Sequence, residues 1–377
     1  MAITELDQTS TMPTSGTGWN NRIQFSRGIE FFAAGGLSLI LLPLCLLFAP
    51  DGQEVQIGLV GMASVWLAYV INDPHFLVTY QIFYRDFRAK IKGNGYQRPE
   101  QVRYLMAGLV LPILLLLWIG AIFAFSSAAM AAGMMQLLFI LVGWHYVKQG
   151  YGVLSVLSAR RGVFYSSLER NLVIAHCLIT WIYAWTMPMA ERIPYEMDGI
   201  LYMASGFGQW PIDLMFGLFV LSGIGAIGIL IRKFWLTRSM PPIAPLAGLF
   251  VTLYLWVVWT GINEAFGYLI PALHSVQYLF FVFMLERGRA KAEGSKPANG
   301  PGLVRQLVVV ASIALFMGWI GFHLAPDWLD AHIYWDESLL GPTIFMATIT
   351  GFINIHHFMM DNVIWRKGNP DMAYLRA

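Results

Sequence analysis

The sequence predicts an all-α integral membrane protein, a bundle of about ten transmembrane helices with both termini in the cytoplasm. Three observations carry this reading. Charged residues make up 12% of the 377 positions and apolar residues 57%, whereas a soluble domain carries about 25% charged residues, so there is too little polar surface to coat a soluble globule of this length. Apolar stretches of roughly the 20 residues needed to cross a bilayer recur along nearly the whole chain. Lys and Arg alternate between heavily and sparsely charged loops, as the positive-inside rule requires of a correctly divided multi-pass chain. The same composition excludes a disordered chain, a disulfide scaffold and a nucleic-acid-binding module.

Taken in order, residues 1–27 read as a polar cytoplasmic tail, residues 28–365 as the bundle and residues 366–377 as a second cytoplasmic tail. The spans run from about Ile29 to Leu47, Ile57 to Tyr80, Leu105 to Phe125, Met130 to Leu157, Leu168 to Met187, Pro211 to Ile231, Ile243 to Thr260, Phe266 to Leu285, Val304 to Leu324 and Gly341 to Val363. Pro and Gly punctuate the joins at Ala49 to Gly52, at Pro241-Pro242 and at Gly294 to Gly302. With the N-terminus inside, only Lys148 and Arg192 of the 24 Lys and Arg residues fall off the cytoplasmic side. Cys45 and Cys177 sit in apolar runs and read as buried thiols. The outer segments Pro188 to Trp210 and Ala325 to Leu340 read as an aromatic belt at the interface. The expected location is a bacterial inner membrane, with lipids as neighbours.

Six of the eight histidines lie well inside predicted spans, where polar groups are costly and usually face a protein interior. Counting residues to the nearest inner basic residue places His75, His145, His176, His274 and His356 about 9 to 23 Å below the loop charges. Five helices thus offer histidine in one layer. Most of these histidines travel with polar companions at helical spacing: Asn72, His75 and Thr79; His145, Lys148, Gln149 and Gly152; His274, Gln277 and Tyr278; Asn354, His357 and Asp361. His356 is rotated about 100° from His357, and His176 has no polar seam. His323 and His332 read as interfacial residues at the outer edge.

Several imidazoles converging in an apolar bundle suit a metal ion, and neutral imidazole suits iron, copper or zinc. The expected ligands are His75, His145, His274 and His357, with Asp361 as the anionic member and His176 and His356 as further candidates; Asp73 is the other carboxylate at this depth. Gln149, Gln277, Asn72 and Asn354 are expected to orient the rings. Lys148, about 12 residues from the nearest inner loop charge, is too deep to snorkel easily, so it is expected to be neutral, paired with Asp361, Asp73 or Asp86, or lining a wet cavity; Lys148 or Tyr151 is expected beside the reacting end of a substrate.

The spread of single histidines over several helices is similar in layout to that of the bacterial carotene-cleaving dioxygenases. Their Pro-His element continues into Gly and an acidic residue, whereas Pro74-His75 continues as Phe76-Leu77-Val78-Thr79, so the likeness is one of layout and assigns no family. His356-His357 has no histidine three or four residues upstream, unlike the boxes of membrane fatty-acid desaturases. The sequence therefore favours a non-haem iron oxygenase, hydroxylase or desaturase acting on a lipophilic acyl or isoprenoid substrate, with a separate reductase supplying electrons. Copper and haem are the alternative cofactors. The alternative functions are a transporter with a histidine and aspartate proton relay, and an electron-transfer subunit with bis-histidine haem.

Overall fold

A computed structural model describes residues 27–48, 53–197, 199–203, 206–237, 242–259, 267–292 and 301–376. The expected N-terminal tail up to residue 26, the side chain of Cys45 and most of the three Pro/Gly joins lie outside the described residues. The described chain is almost wholly helical. In order the helices are α1 (Arg27–Phe31), α2 (Ser38–Phe48), α3 (Gln53–Leu67), α4 (Asp73–Tyr84), α5 (Phe87–Lys92), α6 (Arg98–Leu105), α7 (Leu111–Phe125) and α8 (Ala128–Arg160). Then come α9 (Ser167–Thr186), α10 (Trp210–Thr237), α11 (Ile243–Phe250), α12 (Ile270–Ala292), α13 (Pro301–Trp319), α14 (Ala325–His332), α15 (Glu337–Leu340) and α16 (Ile344–Ile364).

Five helical stretches are long and apolar enough to cross a membrane: Arg98–Phe125, Ala128–Arg160, Ser167–Met189, Trp210–Leu236 and Gly302–His332. A sixth is added if Arg27–Gly36 and Ser38–Leu44, bent by 57°, count as one broken span. Helix also occupies the four remaining expected intervals, as α3 with α4, Ile243–Val258, α12 and α16. Three of those four carry the deep polar seams, which lower their apolarity; Ile243–Val258 is simply short.

Local chemistry sets many of the helix ends. Ser166 and Glu169 form a reciprocal capping box at the start of α9, and Ser127 caps α8. Pro99 occupies the first turn of α6, where a missing N–H costs no helical bond, while Pro74 and Pro112 closely follow π-helical stretches within continuous helices. Lys90 donates to the carbonyls of Ile82 (2.8 Å) and Phe83 (3.2 Å), a cation closing the last turn of α4, and pairs with Asp371 at 3.4 Å.

Five π-helical stretches interrupt the described helices: Phe32–Gly36, Ala68–Asn72, Met106–Val110, Val251–Val258 and Ile320–Leu324. Gly35 turns to a φ of 134° inside the first, against Val251, a conformation open to glycine and strained for other residues. These stretches lend backbone carbonyls to side chains. Ala34 O accepts from Gln277 Nε2 (2.5 Å), Asn72 O faces His75 Nδ1, and Ala107 O faces His356 Nε2 (2.9 Å).

Two regions depart from the expected outline. The segment expected as a bare outer belt contains a β-hairpin, β1 (Pro194–Met197) paired antiparallel with β2 (Ile200–Met203), held to α8 by Gln136 donating to Met203 O at 3.0 Å. The other outer segment folds into α14 and α15. At the opposite end of the bundle the expected C-terminal tail is folded underneath. Its turn Pro370–Arg376 receives Arg160 on Leu375 O at 2.9 Å, and Asn369 is bonded to Tyr104 and to the carbonyls ending α16. The ion pairs Arg85–Glu286, Arg161–Glu30, Lys233–Glu169 and Arg289–Asp86 gather at this same end.

Two apolar clusters bracket the middle of the bundle. Toward the hairpin lie Met134, Met135, Leu138, Ile344, Ala347 and Ile355. Toward α5 lie Val78, Ile82, Leu157, Phe281, Met360 and Ile364. The deep histidines occupy the layer between them.

Candidate metal centre

Four buried imidazoles meet in that layer, one from each of four helices: His75 on α4, His145 on α8, His274 on α12 and His357 on α16. Around the group, neighbouring ring centres are separated by 5.2 Å (His75–His274), 4.9 Å (His274–His145), 5.2 Å (His145–His357) and 4.8 Å (His357–His75). Metal–nitrogen bonds of about 2.0–2.1 Å, lengthened by roughly 1.1 Å to the ring centre, put neighbouring rings on one ion about 4.5 Å apart at right angles and about 5.2 Å in a tetrahedron. The four consecutive ring spacings fall near this range, and the ligand atoms sort into two groups of three that share His357. His145 Nε2 and His274 Nε2 stand 3.2 Å apart, a separation two ligands on one ion can take. Ligand atoms of His75, His274 and His357, and those of His145, His357 and Asp361, form two groups whose members lie within 4.8 Å of one another.

The surroundings leave four nitrogens of this group without hydrogen-bond partners. His75 Nδ1 faces the Asn72 carbonyl and Ser275 Oγ (2.8 Å). A carbonyl only accepts, so Nδ1 holds the proton and Nε2 presents its lone pair to the centre. His75 Nε2, His274 Nδ1 and both nitrogens of His357 are buried with no hydrogen-bond partner. Each such buried polar atom costs free energy unless something fills it. Asp361 is the carboxylate beside the group: its Oδ2 lies 3.5 Å from His357 Nε2 and 3.8 Å from His145 Nε2. Its Oδ1 accepts from Tyr278 OH (3.0 Å) and Trp365 Nε1 (3.3 Å), and Thr79 donates to the same tyrosine at 2.6 Å. Buried histidines with one carboxylate form a site that could hold a metal ion.

The other expected site residues are placed elsewhere. His356 turns away from its neighbour and is satisfied by Tyr80 OH (2.9 Å) and Ala107 O (2.9 Å). His176 stands apart between α9, α10 and the Val251–Val258 stretch, with Ser222 Oγ at 2.9 Å and Tyr254 OH at 2.8 Å. Asp73 binds His323 (2.7 Å), which stacks on Tyr69, and His332 faces Trp328 O at 2.8 Å. Lys148 takes none of its three expected carboxylates. It donates to Asn362 Oδ1 and lies 4.6 Å over the Trp144 ring, while Tyr151 packs into a separate apolar cluster.

Lys148 also stands nearer the charged end than residue counting along α8 implies. At about 1.5 Å per residue α8 is longer than a bilayer core is thick, and Lys148 is level with the last turn of α16. Of the expected orienting residues, Asn72 contacts a ring through its carbonyl. Gln149 donates to Gln277 Oε1 (2.7 Å) and His274 O (3.3 Å), tying α8 to α12, and Asn354 donates to Thr350 O on its own helix. Ser275 and Trp365 were not singled out by sequence reasoning. Ser275 stands beside a ligand candidate and four residues after Pro271, and Trp365 four after Asp361, so helical spacing alone could have found both. No protein-family model, curated protein or solved structure matches the chain.

Proposed function

We propose that this chain is a multi-pass metalloenzyme of the bacterial inner membrane. Its ten spans put both termini in the cytoplasm, and a single non-haem iron held by His75, His145, His274, His357 and Asp361 oxidises a lipophilic acyl or isoprenoid substrate. The observation that carries the reading is the closed ring of four imidazoles with unpaired nitrogens beside one buried carboxylate. The pairing of Glu30 with Arg161 and of Leu375 with Arg160 at one basic end supports a shared side for both ends of the chain.

Iron in this site would supply one-electron and dioxygen chemistry, which zinc cannot. The chain's own residues hold the ion, fix the His75 tautomer through Asn72 and Ser275, and exclude water with the two apolar clusters. A lipid-like substrate reaches such a layer sideways through the bilayer, whereas a water-soluble one must cross apolar helix ends. Lys148 lies one turn beyond His145 and is the group closest in sequence to receive such a molecule's polar end. A separate reductase supplies electrons, because no nucleotide-binding motif occurs in the sequence.

The transporter reading draws on the hydrogen-bonded series His323–Asp73–Asn72–Ser275–His75, which leads from the hairpin end to the ring. The haem reading draws no such support, since rings in mutual edge contact leave no slot for a macrocycle. Elemental analysis and an optical spectrum of purified protein, with lipid extracts of cells carrying the intact gene or His145→Ala, test the proposal. About one iron per chain without a Soret band is expected, with a lipid differing by an oxygen atom or two hydrogens. Metal-free protein with unchanged lipids would overturn it.

A further inference from the structure

The Lys148 seam carries an inference about what the site receives. Lys148 is exposed on the outer face of the bundle between α8 and α16. Its ammonium has three donors, and its described contacts are Asn362 Oδ1 and the Trp144 ring. Arg366, exposed two residues beyond the end of α16, is close enough for its charge to interact with that of Lys148. Neither residue pairs with a carboxylate among the described residues. At the same end Arg85, Lys90, Arg161 and Arg289 each do. Two like charges held together without an anion are unfavourable, and the seam is complementary to an acidic group.

The level of the seam narrows the ligand. Asn362 is two residues from the end of α16, so Lys148 lies where a helix of bilayer length meets the head-group region. His145 is three residues earlier on α8 and His357 five residues before Asn362 on α16, about 4.5 and 7.5 Å deeper along the helices. A molecule anchored at Lys148 and extending into the bilayer therefore reaches the depth of the ring of histidines within roughly its first six carbons. Lys148 and the Asn362 amide nitrogen offer two donors side by side, a match for the paired oxygens of a carboxylate.

We infer that Lys148, Asn362 and Arg366 form an anchoring site for the carboxylate of a single-chain fatty acid. This rests on the proposed enzymatic reading for its purpose, though not for the binding itself. The probe is a palmitic acid analogue with a photoactivatable diazirine, applied to the full-length protein in phosphatidylcholine vesicles, with labelled peptides mapped by mass spectrometry. Labelling is expected in the peptides containing Trp144 to Tyr151 and Phe358 to Arg366. Palmitate should compete, with methyl palmitate at least about tenfold weaker for want of the charge-assisted contact.

Lys148→Met should weaken labelling by about tenfold and Lys148→Arg by no more than about threefold. Equal competition by the methyl ester or by phosphatidylglycerol, or unchanged labelling of Lys148→Met, overturns the inference. The ester and phosphatidylglycerol comparisons use unaltered protein and do not depend on how the variants fold. Iron is measured in the same samples. Carboxylate-dependent labelling without iron removes the enzymatic reading and leaves the anchor, whereas iron with indifferent labelling removes the anchor alone.

Discussion

The ring of histidines and the His176 pocket are built from the same residue at similar burial, and they are satisfied in opposite ways. His176 points its two nitrogens at two hydroxyls, Ser222 Oγ and Tyr254 OH, and packs on Phe219. In the ring, imidazoles face imidazoles, and four nitrogens of His75, His274 and His357 have no partner. His356 belongs with His176: one residue from His357, it is bonded at both nitrogens. Burial of a histidine says little about its role, whereas what stands opposite its nitrogens separates a structural ring from a candidate ligand.

This contrast breaks most readily at His357. His357→Ala removes a ring next to both His75 and His145, and bound metal should fall by more than about 100-fold, beyond the 10–100-fold typical of losing an outer partner. His176→Ala should leave metal content unchanged. Elemental analysis of the two detergent-purified variants decides, and equal depletion would erase the distinction between the regions.

A finer test sits at Ser275. Ser275→Ala keeps all four rings but removes the hydroxyl beside His75 Nδ1, so metal affinity should drop by about tenfold while the protein stays folded. Competition with a graded series of chelators measures it, and an unchanged affinity would mean that the Asn72 carbonyl orients the ring alone. The smallest expected effect is on stability. His176→Ala strands the Tyr254 hydroxyl and leaves Ser222 Oγ only its bond to Phe219 O, and should cost about 1–3 kcal/mol, read as a lower thermal midpoint in detergent. A variant as stable as the parent would show that those hydroxyls find other partners.

Much of this was legible in the sequence because hydropathy and helical spacing are local properties. Helix occupies each expected interval, and the polar seams of α4, α8, α12 and α16 bring His75, His145, His274, His357 and Asp361 together. The roughly 100° between His356 and His357 separates a satisfied ring from an unsatisfied one. What stayed hidden depends on pairing between helices. Nothing near His176 announces that Ser222 and Tyr254 will face it, and Lys148 looked deep because depth was counted along α8, which overruns its neighbours. The hairpin at Pro194–Met203 was obscured by the aromatic and proline content of its segment.

The π-helical stretches have a genetic consequence. Such a stretch is an α-helix carrying one surplus residue, so loss of a single codon within 68–72 would restore regular winding and rotate α3 by about 100° relative to α4. The altered chain would keep every histidine, its apolarity and its charge distribution. It would nevertheless withdraw the Asn72 carbonyl from His75 and turn Tyr69 away from His323. Among relatives of this chain, single-residue gaps at such points would mark a change in the surroundings of the candidate ligands even where all of them are retained.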